Sequence, residues 1–247
     1  YFSTQVALGN VEIFKVKLEI TIKMIFIFAV PLGLIASILS ISMIEIVLQR
    51  GAFTLQETNG LAAILPGMLF GMIPMINVAV IYKALYAKND LQGAALISIL
   101  GSFYYFFMSG VFSSLWGIQG IIVTYITSWW LMLGLSVYRI WGTDLKALIN
   151  LENKKFFFNL IIIFVTIGGV TLLGRILIIR SLNDIGMLNL IIRMSSIVFV
   201  DVVLFILFSI FILKIPEVIY FIRLLPESVA LKIESRILKK NLSFRIK

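Results

Sequence analysis

The sequence predicts an all-α integral membrane protein with six transmembrane helices, and three features of it carry that expectation. Hydrophobic residues make up 61% of the 247-residue chain and charged residues only 13%, with a mean hydropathy of +1.08. A chain of this size cannot hide that much apolar surface in a water-soluble core. Several runs of about twenty residues are almost free of charge, and each is long enough to cross a hydrocarbon layer of ~30 Å at a helical rise of ~1.5 Å per residue. Finally, Lys and Arg are shared unequally between alternate loops.

The six predicted spans are residues 24–48, 61–82, 93–115, 118–138, 156–174 and 195–213. Before the first, Lys15 to Lys23 alternates apolar and polar residues as a strand would, but Phe14, Leu18 and Ile22 also fit one helix face leading into an obligatory span, and a helix is predicted. Residues 1–23 form an amphipathic lead-in. The chain opens on Tyr1 rather than Met, in the middle of that approach, which points to a fragment or a processed chain.

Between the first two spans lies LQRGAFTLQET. Arg50 complements a helix C-terminus and Gly51 suits a left-handed cap. Thr54 and Glu57 match the capping box that starts a new helix. The second span holds Pro66 and Pro74, each deleting a backbone hydrogen bond, with Gly67 and Gly71 spaced as a small-residue packing face. A bend is predicted there, and Asn77, one turn past Pro74, is placed to satisfy a freed carbonyl or to face a cavity. From Leu91 to Tyr138 there are 48 residues without Asp, Glu, Lys or Arg. That is too long for one crossing, so a tight helical hairpin is predicted at Trp116-Gly117. Residues 24–142 thus form a four-helix unit, residues 143–213 carry two further spans, and residues 214–247 form a basic amphipathic tail suited to an anionic leaflet.

Of the 21 Lys and Arg, seventeen fall on the side holding the termini and four on the other, so both termini are expected in the cytoplasm. The net charge of +9 is accounted for by topology and by membrane lipids, with no need for nucleic acid. Cysteine and histidine are absent, which excludes disulfides, thiolate and imidazole chemistry and the metal sites built on those ligands. No cofactor is expected. Two carboxylates lie within apolar runs: Glu45, near the outer interface, and Asp201, some six residues into the sixth span. An intramembrane acid is a functional candidate by default. Arg175, at the outer end of the fifth span, is the cation expected to pair with Asp201. Arg175, Arg180, Asp184 and Arg193 gather in one outer loop on this reading, too sparse a cluster for an enzyme acting on lipid phosphates.

The run LQRGAFTLQETNGLAAILPGMLFGMIPMINVAVIYKALYAKND, with R-G-A-F followed by a long span and LYAKND, resembles the second-half signature of the MurJ/MviN family of lipid II flippases. LGNVEIFKVKLEI and FAVPLGL resemble the approach to that family's ninth helix, and WGIQGIIVTYITSWW the start of its twelfth. The resemblance implies helices nine to fourteen of a two-lobed, MATE-like transporter: the C-terminal lobe plus two peripheral helices that wall a lateral groove for a polyprenyl tail. It departs from the family at Asp90, which is followed by Leu91-Gln92-Gly93, and in the third span, whose polar residues are only Ser98, Ser102, Tyr104, Tyr105 and Ser109. The function implied is flipping of a polyprenyl-pyrophosphate-linked saccharide by alternating access in a bacterial cytoplasmic membrane, against an N-terminal lobe of eight helices that this chain lacks. The alternative is a superfamily exporter of O-antigen lipids or drugs. Candidate substrate or groove residues are Arg50, Asn77, Lys83, Arg175 and Asp201, with Pro66 and Pro74 as kink positions.

Overall fold

The computed structural model describes residues 9, 11–48, 53–142, 151–179 and 187–209. Among them are seven helices and no strand: α1 (Val11–Ile38), α2 (Ser40–Leu48), α3 (Leu55–Ala87), α4 (Leu91–Trp116), α5 (Ile118–Trp141), α6 (Leu151–Gly174) and α7 (Met187–Leu207). A looser π-helical segment, Arg175–Ile179, continues α6. Six helical stretches are long and apolar enough to cross a membrane.

Lys15 to Lys23 is helical and continuous with the first span. The face predicted for it is the one that packs: Phe14 and Leu18 are fully buried, and Ile22 lies against the same core. Glu19 and Lys23 pair at 2.8 Å one turn apart, and the Lys23 ammonium stands over the Phe156 ring at 5.7 Å, tying α1 to α6. The span then breaks at Leu39, after which α2 runs on to Leu48.

The start of α3 is the predicted capping box. Thr54 donates its backbone N–H to Glu57 Oε2 at 2.6 Å, and the Glu57 N–H reaches Thr54 Oγ1 at 3.4 Å. Arg50 and Gly51 lie outside the described residues. α3 runs 33 residues through both prolines without interruption. Gly67 and Gly71 let α5 approach closely, because a Cβ on either would overlap Ile122 or Tyr125. The small-residue face is therefore a helix-packing surface.

The hairpin turns where predicted. Gly117 adopts φ +57 between α4 and α5, its N–H bonds Ser113 O at 2.8 Å, and the Gly120 N–H bonds back to Gly117 O at 3.0 Å. Positive φ there suits glycine alone among ordinary residues. Across the hairpin, Tyr104 donates to Thr127 at 3.1 Å.

Two apolar cores meet along α1. One gathers Phe14, Leu18, Val78, Ile81, Ile97 and Leu133 from α1, α3, α4 and α5. The other gathers Ile27, Ile35, Leu39, Ile163, Ile167 and Ile197 from α1, α6 and α7 and the break itself. Much of α4, including Phe103, Phe106 and Phe107, stays exposed, as suits a surface solvated by lipid tails.

The last span departs from its predicted bounds. It begins at Met187 rather than Ser195, because Arg193 does not end it: the guanidinium Nε donates to Asn189 Oδ1 one turn back at 3.0 Å. Asp201 is consequently fourteen residues from the helix start, or ~20 Å along it, instead of the six residues expected. Nor do Arg175 and Arg193 belong to a loop, since both lie on helical backbone. Arg180, Asp184 and the basic tail fall outside the described residues.

Candidate functional site

The polar groups that matter most sit where α1 breaks. Pro66 has no N–H, so the Ala62 carbonyl four residues back loses its helical partner. In hydrocarbon such a group costs several kcal/mol if left alone, on the order of magnitude found for unsatisfied amides. Ser40, the first residue of α2, is buried and donates its hydroxyl to that carbonyl at 3.3 Å. The break in one span and the proline in its neighbour are thus complementary.

On the opposite flank of the break, Arg175 Nη1 donates to the Ile38 carbonyl at 3.0 Å. Ile38 lies ten residues before the end of α2, which sets this contact ~15 Å inside that end. The expected Arg175–Asp201 ion pair is not formed. Arg175 is held by the Ile38 carbonyl, and Asp201 lies one turn lower, where Thr171 Oγ1 comes within 2.8 Å of its Oδ2. Asp201 is fully buried, and its Oδ1 has no hydrogen-bond partner. Close packing of Gly174 on Ile197 brings α6 and α7 together just above.

The other candidates lie elsewhere. Asn77 is fully buried in α3, and its side-chain N–H donates to the Ile73 carbonyl at 2.9 Å. The carbonyl freed by Pro74 is that of Phe70, so Asn77 reinforces an existing helical acceptor and does not satisfy the vacant one. Lys83 is exposed toward the far end of α3.

A second cluster sits at that end. Asp90 caps α4 by accepting from the Gly93 N–H at 3.0 Å, and Arg139 from α5 grips its two oxygens at 2.7 and 3.0 Å. Hydrogen bonding from Arg139 holds the Asp90 carboxyl below the usual carboxylate range. A bidentate pair of this kind, half exposed, contributes about 0.2–1 kcal/mol, so its main effect is to fix where α3, α4 and α5 meet. No group of three or more Asp or Glu among the described residues could hold a metal.

Sequence reasoning located Arg175 and Asp201 but missed Ser40 and Thr171. For Ser40 a signal existed: a proline in a membrane helix strands a carbonyl, and a hydroxyl on a neighbouring span is the natural donor. Nothing in the sequence distinguished Thr171 from Thr166, which back-bonds to its own helix in the same way.

The family model for the lipid II flippase MurJ matches residues 1–214. The chain belongs to that family. Comparison with curated proteins and with solved structures yields no match. Membership makes this a multi-pass membrane protein of lipid II transport, serving peptidoglycan synthesis, and does not favour the O-antigen or drug exporters of the wider superfamily. The family flips lipid and is not a family of enzymes.

Proposed function

We propose that the chain supplies helices nine to fourteen of a lipid II flippase: α1 with α2, α3, α4 and α5 as four helices of the second lobe, and α6 and α7 as two peripheral helices beside it. The observation that carries this reading is the pair of cores sharing α1. One is closed by the four helices from α1 to α5, and the other forms where α6 and α7 lean on the outer half of α1. Alternating access then needs a second lobe to move against, supplied by an N-terminal half. The polyprenyl-pyrophosphate substrate carries its charge at the head group, and its tail lies along the apolar flank of α6 and α7.

Expressed alone, residues 1–247 are expected to give no rescue of cells depleted of their lipid II flippase. Co-expression with the N-terminal half of a family member is expected to restore growth. Growth on the chain alone would show that one lobe suffices.

We infer from the charge asymmetry that both termini lie in the cytoplasm. The chain contains no cysteine, so single cysteines report topology directly. A cysteine at exposed Gln56 is expected to react with an impermeant thiol reagent in intact cells, and cysteines at exposed Lys88 and Lys154 only after permeabilisation. Asn153 is a poor probe because it is buried. Labelling of Lys154→Cys from outside would invert the topology.

A further inference from the structure

We propose that Asp201 is held as a neutral carboxylic acid, donating its proton to Thr171, which in turn donates to the Ile167 carbonyl, and that this proton-bearing clasp ties the sixth span to the fifth. Thr171 Oγ1 lies 2.8 Å from the Ile167 carbonyl and 2.8 Å from Asp201 Oδ2. A hydroxyl has one hydrogen and can serve only one of two acceptors.

If Asp201 were ionised, both neighbours of Thr171 would be acceptors. One of the two short contacts would then have no hydrogen in it, and Oδ1 would remain a bare anionic oxygen in a fully buried position. A protonated acid removes the conflict: Asp201 donates to Thr171, Thr171 donates to Ile167, and no charge is buried. Burying an unpaired carboxylate costs several kcal/mol even after relaxation, on the order of magnitude found for buried ions, whereas an acid leaves only one carbonyl oxygen without a donor.

Among the described residues no cation faces the site. On α6 the nearest is Arg175, occupied by Ile38, and Lys154 and Lys155 stand at the opposite end of the helix. On α7 it is Arg193, eight residues earlier and held by Asn189. α1 has no ionisable side chain between Lys23 and its end, and the only one on α2 is the acid Glu45. Phe28 of α1 packs on Phe205, one turn past Asp201, so that flank is apolar as well.

The test is infrared spectroscopy on the protein in lipid nanodiscs at neutral pH, with aspartate carrying a ¹³C-labelled side-chain carboxyl. The wild type is expected to show a protonated-carboxyl C=O band that disappears in Asp201→Asn. In Thr171→Val the same band should move to higher frequency, because the acid loses its acceptor. Carboxylate bands alone in the wild type would overturn the proposal, as would a protonated band that survives unchanged in Asp201→Asn. Should Asp201→Asn fail to fold, the Thr171→Val shift decides between the two, since a band from any other aspartate would not move.

Discussion

Replacing Gly120 by alanine is expected to destroy the α4–α5 hairpin, giving little monodisperse protein and a large fall in thermal midpoint. A Cβ at Gly120 would overlap the carbonyl group of Phe112, which is backbone and cannot move away by changing rotamer. The same turn is fixed by Gly117 at positive φ and by the bond from Gly120 N–H to Gly117 O, so the helices have no slack with which to separate. Overpacking a close contact costs typically ~1–3 kcal/mol and more where the backbone itself must shift. Alanine at Gly110 or Gly134, which lie on these same two helices with open space around them, should be neutral or gain about 0.4–1 kcal/mol through a less flexible unfolded chain. Alanine at Gly67 should fall between, since the atom it meets belongs to the Ile122 side chain. Equal stability of Gly120→Ala and Gly134→Ala would show that the hairpin packs differently.

The contrast among these glycines marks what could be read in advance. Hydropathy and charge gave the spans because a bilayer of fixed thickness imposes fixed lengths. Local chemistry gave the Thr54–Glu57 box and the turn at Gly117, where three or four consecutive residues contain the whole interaction. Phe14 and Leu18 could be assigned to a helix because the span that follows them is helical of necessity.

What was not legible depends on which helices touch. The bidentate contact between Asp90 and Arg139 joins residues 49 apart, and Arg175 finds a carbonyl 137 residues away. The Ile38 carbonyl, with no proline four residues on to mark it, has no sequence signature, which is why Arg175 is read instead as the partner of Asp201 on the neighbouring span. The sixth span was started too late for a related reason. Arg193 reads as a helix boundary in a hydropathy profile, yet a bond to Asn189 one turn back keeps it on the helix. That shift moved Asp201 from six to fourteen residues beyond the start of its helix.

In a flippase that rescues depleted cells, Asp201→Lys is expected to abolish both folding and rescue, while Asp201→Asn stays near wild type. The position is fully buried, with Thr171 as its hydrogen-bond partner. An ammonium there has three donors and one acceptor within reach, and the next charged group along α6 is the Arg175 guanidinium, of like sign. Insertion scales put a central Lys or Arg at about +2.5 to +3.5 kcal/mol. The longer side chain must also displace neighbours where Gly174 and Ile197 are already in close contact. Asparagine keeps the shape of the acid, and its amide N–H can donate to Thr171 as the acid does, so the link between α6 and α7 survives. The measurements are membrane yield, thermal midpoint and growth rescue for each variant. Normal folding of Asp201→Lys would mean that water or an anionic group from outside the described residues reaches the site. Loss of rescue in Asp201→Asn at normal yield and thermal midpoint would mean that the proton must leave Asp201 during the transport cycle, since the amide reproduces every feature of the acid except the ability to ionise.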